Sequence, residues 1–66
     1  MKLLVNGEEK TYTGHLTVLT LVQKHGLKKE GVAVEVNKKI IKKVEYEKHA
    51  LKDGDKVEIV HFVGGG

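Results

Sequence analysis

The sequence predicts a single α+β domain in which one helix packs on one face of a mixed sheet of four to five strands. Three observations lead to this fold class. The chain has 66 residues, which is enough for one domain with a small core. One segment repeats its apolar residues at helical spacing. The segments on either side of it carry short or alternating apolar runs bounded by turn residues, which is typical of strands.

The N-terminal segment has the pattern of a β-hairpin. The apolar run 3–5 leads into Asn6-Gly7, a dipeptide that strongly favours a two-residue hairpin turn. Side chains then alternate around Tyr12, with threonines nearby, as they do in a second strand. We therefore predict strands over residues 2–6 and 8–13.

The next segment has the signature of a short amphipathic helix over residues 18–25. Four side chains share one helical face by their spacing: Val18, Leu21, Val22 and His25. Thr17 precedes them as a plausible N-cap, and Gly26 stands where a glycine often ends a helix. A helix of this length is unstable alone, so it must pack on a sheet.

The second half of the chain predicts two or three further strands. Valines alternate over residues 32–36, and a short strand follows at 40–41. The last strand, 56–63, begins after the turn 53–55. The strands on either side of the helix are joined by a crossover, so a right-handed connection determines the packing. We expect the first and last strands to pair in parallel at the centre of the sheet.

The segment between these strands, residues 42–52, is mostly polar. Three apolar side chains serve as its anchors: Val44, Tyr46 and Leu51. We predict irregular structure or one turn of helix there.

The same patterns predict which side chains are buried. The predicted core consists of Leu3, Val5, Val18, Leu21, Val22, Leu27, Val34, Val36, Ile41, Leu51, Val57 and Ile59. In the last strand, Val57 and Ile59 face the helix, which places Val60 and Phe62 on the opposite face. Apolar side chains on that face indicate a docking surface for a partner. The alternative is that they pack against Leu4 in a small cluster.

The amino-acid composition argues against several classes of function. The net charge is +3, and all 12 basic residues are lysine, whereas arginine is the residue that grips phosphates and base edges. With only three aromatic residues in addition, we expect no nucleic-acid binding. The chain has no cysteine and no serine, which excludes disulfides and thiol or serine nucleophiles. Neither a membrane span nor a signal peptide is evident, so we expect no membrane association and a cytoplasmic location.

The titratable residues do not indicate a catalytic or metal site. No two histidines have the spacing of ligands on one helix: His15, His25, His49 and His61. The pairs Glu45/Glu47 and Asp53/Asp55 come without an evident pocket, and the second pair is explained as turn residues. We therefore predict no metal site, no catalytic residue and no enzymatic activity.

The strongest functional signal is the run Gly64-Gly65-Gly66. Glycine makes up about 7% of average proteins, so three in a row directly after an apolar strand are rare by chance. Glycine lacks a Cβ, so the segment can extend into a narrow channel and leave its last carbonyl open to a nucleophile. A carboxylate with a pKa of roughly 3.5 must first be activated, for instance as a mixed anhydride with AMP. The alternative is a frayed end or a linker without function. We divide the chain into a domain, 1–63, and a flexible tail, 64–66.

These segments resemble the ubiquitin-like sulfur carriers of β-grasp fold and, among them, the ThiS family of thiamine thiazole biosynthesis. The resemblance covers essentially the whole chain, although residues 42–50 match weakly. It is carried by Asn6-Gly7-Glu8, Thr17-Val18 and the segments 32–37, 51–60 and 61–66.

The resemblance implies a carrier that is acted on by other enzymes. A ThiF-like, E1-type adenylyltransferase would use ATP and magnesium to adenylate Gly66, and the carrier itself would bind no cofactor. A sulfur donor system with a cysteine desulfurase would then convert the acyl-adenylate to a thiocarboxylate. The thiazole synthase ThiG would receive the sulfur.

The resemblance also assigns roles to the neighbouring residues. Gly64 and Gly65 would supply reach, and Val60, Phe62 and Val63 would contribute to partner docking. A molybdopterin-type sulfur carrier and a ubiquitin-like modifier conjugated to lysines remain open within the same fold. Outside it, the alternatives are a plain interaction module and a small nucleic-acid binder.

Overall fold

The computed structural model describes residues 1–62. It contains a short helix and five strands: β1 (Lys2–Val5), β2 (Glu8–Thr11), α1 (Val18–Lys24), β3 (Val32–Val36), β4 (Lys39–Ile41) and β5 (Lys56–His61). Two 3₁₀ turns, Lys29–Gly31 and Lys43–Glu45, precede β3 and follow β4. The last strand is therefore shorter than predicted, and Val63 lies outside the described residues.

The strands form one mixed sheet in the order β2-β1-β5-β3-β4. β1 and β5 pair in parallel, with Val5 opposite Val57, whereas the other neighbours are antiparallel. The predicted parallel pairing of the first and last strands at the centre of the sheet is confirmed. So is the α+β class, with a mixed five-stranded sheet and one helix.

Local chemistry explains the hairpin and the helix ends. Asn6 and Gly7 adopt positive φ angles of 50° and 82°, the backbone that a tight hairpin turn requires. The Thr17 hydroxyl accepts a hydrogen bond of 3.2 Å from the Thr20 backbone N–H, which confirms the predicted N-cap. Gly26 follows the helix with a φ of 73°, a conformation that favours glycine.

The core lies between the helix and one face of the sheet. Its buried members are Leu3, Val5, Leu16, Val18, Leu21, Val22, Val32, Val34, Val36, Tyr46, Leu51, Val57 and Ile59. Leu27 and Ile41, predicted as core, are only partly buried at its margin. The prediction omitted Leu16, Val32 and Tyr46.

The segment 42–52 explains two of these differences. It runs alongside the start of the helix, where Leu19 N–H donates to the Tyr46 carbonyl and Leu51 N–H donates to the Leu16 carbonyl, at 2.9 and 2.8 Å. These contacts bury Leu16 and the Tyr46 ring. Val44, in contrast, is 79% exposed, so its prediction as an anchor is wrong. Val44 lies in the 3₁₀ turn and faces solvent, whereas Tyr46 and Leu51, which follow it, face the core.

Candidate functional site

The site predicted from the sequence lies at the C-terminal end of β5, the central strand. The structure describes two of its residues, Val60 and Phe62. The other predicted site residues, Val63 and the segment 64–66, lie outside the described residues, and so does the boundary predicted between domain and tail.

The two described residues lie on the sheet face opposite the helix. Val60 is 55% exposed and Phe62 is 50% exposed, whereas their neighbours Val57 and Ile59 are buried against the helix. The predicted division of β5 into two faces is therefore correct. By strand register, Ile40 lies on the same outer face and is 75% exposed. We refer to Val60, Phe62 and Ile40 as the open-face patch.

The alternative that these residues pack against Leu4 does not fit the register. Leu4 lies opposite Lys56 in the parallel pair. Val60 is four residues further along β5, which is about 13 Å of extended strand. Leu4 is too far away to cover Val60, so the open-face patch remains available for contact.

Acidic side chains adjoin the open-face patch. Glu35 and Glu58 are directly opposite each other in the antiparallel pair of β3 and β5, on the outer face. Neither forms an ion pair with another residue of the 1–62 segment. Two like charges at directly opposite positions repel each other. The outer face thus combines apolar side chains with local negative charge.

Asn6 secures one flank of the end of β5. Its backbone N–H donates to the Val57 carbonyl at 2.8 Å, as a continuing strand would. Its side chain then accepts from the Ile59 N–H at 2.7 Å and donates to the Ile59 carbonyl at 3.2 Å. A carboxamide has both a donor and an acceptor, so it replaces the peptide group that β1 no longer supplies after it turns away. The sequence analysis recognised Asn6 only as a turn residue.

Lys43 has a similar role at β3, the strand on the other side of β5. The register of β3 and β4 pairs Val34 with Ile41, and its extension by two residues would place Lys43 opposite Val32. The chain leaves the sheet in a 3₁₀ turn at this point, and the Lys43 ammonium group donates to the Val32 carbonyl instead. Asn6 thus continues the pairing of β5, and Lys43 that of β3, each after the neighbouring strand has ended.

The same ammonium group lies over two aromatic rings. Lys43 Nζ is 5.6 Å from the centroid of the Tyr46 ring and 6.0 Å from that of Phe62. Both distances are within the range of cation–π attraction. The backbone of Phe62 is also held, because its N–H donates to the Gly31 carbonyl at 2.9 Å. Phe62 is therefore exposed to solvent but not free of the fold.

The Tyr46 ring beside Lys43 carries no charge at neutral pH. The ordinary pKa of a tyrosine hydroxyl is about 10, and burial raises the pKa of Tyr46 further, while a hydrogen bond with the Val34 backbone partly opposes this effect. The aromatic face, rather than a phenolate, is what Tyr46 offers to the ammonium group.

The other candidate side chains have local roles. The Asp53 carboxylate accepts the Lys2 backbone N–H at 2.6 Å and so joins the turn to β1, whereas Asp55 accepts the Lys52 backbone N–H at 2.9 Å within the turn. His25 ends the helix and contacts the Tyr12 hydroxyl at 3.2 Å, while His61 is exposed on β5. Within residues 1–62, no three potential metal ligands come together.

Comparison with known proteins shows where this fold and sequence belong. A family model described as "ThiS family" matches residues 3–66. The chain belongs to the ThiS family. "Sulfur carrier protein ThiS" of Bacillus subtilis (strain 168) is 45% identical over 67 residues, an alignment that covers 97% of this chain and 98% of that protein.

A solved structure of a ThiS protein has the same fold. The crystal structure of the thiamine biosynthesis protein ThiS from Geobacter metallireducens superposes with a TM-score of 0.83 and 36% identity, over 100% of both chains. Together with the family match and the Bacillus relative, this confirms the expected ubiquitin-like β-grasp fold and the expected membership of the ThiS family.

Two further relatives are much longer than this chain. A "Thiazole synthase" of Paramagnetospirillum magneticum (strain ATCC 700264 / AMB-1) is 47% identical over 66 residues. The chain spans 20% of the length of that protein, and the same share of a second thiazole synthase, from Magnetococcus marinus. Each of these proteins therefore contains a ThiS-like segment within a longer chain.

Over the described residues 1–62, no helix is long and apolar enough to cross a bilayer.

Proposed function

We propose that this chain carries sulfur as a thiocarboxylate on Gly66 and donates it to the synthesis of the thiamine thiazole. The observation that carries this proposal is the extent of the family match. It runs from residue 3 to residue 66 and therefore includes all three glycines. The Bacillus sulfur carrier is matched over 98% of its length, so the likeness is not limited to a shared fold.

The chemistry needs enzymes other than this chain. A carboxylate is an anion at neutral pH and resists nucleophilic attack. A ThiF-like adenylyltransferase with ATP and magnesium would join the Gly66 carboxylate to AMP as a mixed anhydride. A persulfide from a donor system with a cysteine desulfurase would then displace AMP and form an acyl disulfide. A thiol reductant would cleave its S–S bond and leave one sulfur in place of one carboxylate oxygen. The carrier is a substrate in each step and not an enzyme.

The chain's composition supports this division of labour. It contains no cysteine and no serine, so it has neither a thiol for covalent sulfur transfer nor a serine nucleophile. Gly64 and Gly65 would give the terminal carbonyl its reach, since glycine fits a narrow channel. We further propose that the carrier and its partners meet in the cytoplasm.

The long relatives support thiazole synthase as the acceptor. In two proteins named thiazole synthase, a segment like this chain makes up 20% of the length. Covalent linkage of two modules raises the effective concentration of one for the other, which is useful when they exchange a group. We propose that the present chain makes the same contact as a separate protein.

Docking would use the open-face patch. Val60 and Phe62 directly precede the segment that must enter the partner, and both are half exposed. Exposed apolar side chains at the centre of an interface contribute most of its binding energy when a partner covers them. Val63 would extend this contact towards the glycines.

Intact mass spectrometry tests the proposal. The chain is incubated with a ThiF-like enzyme, ATP, magnesium, a cysteine desulfurase, cysteine and a thiol reductant. The mass should rise by the difference between one sulfur and one oxygen, and deletion of Gly66 should abolish the rise. An unchanged mass with an enzyme that activates the Bacillus protein would contradict the proposal. Transfer of the sulfur to molybdopterin synthase instead of thiazole synthase would support the related carrier, and salt-dependent retention on DNA would support a nucleic-acid binder.

A further inference from the structure

Phe62 is the last described residue before the segment that the proposed partner must reach. Its side chain is 50% exposed, so it is available to a partner. A half-exposed phenylalanine at the end of a strand ordinarily samples several rotamers, and binding must then restrict it to one. The backbone bond to Gly31 holds only the main chain of Phe62, whereas the Lys43 ammonium group, 6.0 Å from the ring centroid, acts on the side chain before any partner arrives.

Contacts within the fold position the Lys43 ammonium group. It is bonded to the Val32 carbonyl and lies over the buried Tyr46 ring. Val32 is also the residue that pairs with His61, immediately before Phe62. Lys43 is therefore anchored to β3, the strand beside the end of β5.

We propose that Lys43 is a positioning residue for partner docking, because it holds the Phe62 ring in one orientation on the open face. This inference rests on the proposed function, in which Phe62 contacts the adenylating enzyme. A side chain that is already ordered loses less entropy on binding. Lys43 does not contact the reacting carbonyl in this proposal, so the chemical step is unaffected. Loss of Lys43 should thus weaken docking and leave the rate of the bound complex unchanged.

The first experiment uses the free protein. In Lys43→Met, which keeps the length of the side chain but removes the ammonium group, the ring resonances of Phe62 should move towards random-coil values. The amide order parameter of Phe62 should also fall. Lys43→Arg, which keeps the charge and the donors, should restore both. Unchanged Phe62 resonances in Lys43→Met would overturn the proposal.

The second experiment measures adenylation by the ThiF-like enzyme at varied carrier concentration. Lys43→Met should raise KM roughly three- to tenfold, the range expected for one side chain that must be newly immobilised, with kcat nearly unchanged. Lys52→Met is the matched control, since it also removes one positive charge. Lys52 precedes β5, whose first residue is about 20 Å of extended strand away from Phe62. An equal rise in KM for Lys52→Met would show a general charge effect and overturn the proposal.

A double variant separates positioning from direct contact with the enzyme. If Lys43 acts through Phe62, Lys43→Met should add nothing to the KM of Phe62→Ala. Additive effects would show that Lys43 contacts the enzyme itself and would overturn the positioning role. A wild-type chain that is never adenylated would instead contradict the proposed function, and the docking role with it. An active wild type with an unchanged KM in Lys43→Met would overturn this inference alone.

Discussion

The two faces of β5 differ in what they do for the molecule, although they are made by alternate residues of the same strand. Val57 and Ile59 point towards the helix and are buried, whereas Val60 and Phe62 are half exposed on the other face. Side-chain alternation lets one strand contribute to the core and to the proposed docking surface at once. Apolar residues of similar hydrophobicity therefore differ in their contribution to stability, because they lie on different faces of the strand.

The largest expected effect on stability is at the buried face. Ile59→Ala should lower the free energy of unfolding by about 2–4 kcal/mol, because it removes buried methyl groups and leaves a cavity. For a domain of this size, about 1 kcal/mol corresponds to roughly 4–8 °C in melting temperature. Urea unfolding followed by circular dichroism measures the loss.

Ile59→Val is the matched control, since it removes a single methylene group. It should cost about 0.5–1.5 kcal/mol. A loss below about 0.5 kcal/mol in Ile59→Ala would contradict the core position of Ile59, since surface substitutions usually stay within that limit.

The next effect concerns the flank of β5 that Asn6 secures. Asn6→Ala leaves the Ile59 N–H and carbonyl without their side-chain partner, which should cost about 1–3 kcal/mol. Part of the loss would come from the positive φ of 50°, which alanine adopts poorly. Asn6→Gly removes that contribution, because glycine tolerates the backbone, so the difference between the variants isolates it. If Asn6→Gly were as stable as the wild type, the two hydrogen bonds would contribute nothing.

A substitution on the open face should affect stability less than the changes at Ile59 and Asn6, but it should affect docking. Phe62→Ala removes a half-exposed ring and should change the free energy of unfolding by less than about 1 kcal/mol. The same change should raise KM for adenylation, because the ring is lost from the proposed interface. Unfolding and adenylation are measured on the same preparation. A stability loss equal to that of Ile59→Ala would show that the division between the faces is wrong.

Sequence patterns predicted the parts of the fold that depend on local chemistry. The Asn6-Gly7 turn, the Thr17 cap and the valine alternation of β3 each follow from a few neighbouring residues, and each is found where predicted. The predicted parallel pairing of β1 with β5 is also confirmed. These inferences need no knowledge of distant contacts.

The parts that were missed depend on where strands end in space. Asn6 bonds to Ile59, 53 positions away, and Lys43 bonds to Val32 only because β4 stops two residues earlier. No pattern of neighbouring residues predicts that a side chain will form the hydrogen bonds that a neighbouring strand no longer supplies. Tyr46 was missing from the predicted core for the same reason, since its burial results from a segment folding against the start of the helix. The role of Gly66 stays a prediction from the sequence, because it depends on a partner.

The smallest expected effect concerns the acidic pair on the open face. Glu35 and Glu58 are directly opposite each other, and like charges in that position destabilise a sheet. Glu58→Gln removes the repulsion and should stabilise the domain by about 0.2–1 kcal/mol at low salt. The gain should shrink at high salt, because the Debye length falls to about 3 Å at 1 M. Glu47→Gln is the control, since Glu47 is exposed in a segment outside the sheet. Equal gains in both variants would point to net charge rather than to the pair. Glu58→Gln could be more stable than the wild type and still be adenylated with a higher KM. That result would show that Glu58 is attracted to a basic surface of the partner, which would explain why the open face keeps a destabilising charge pair.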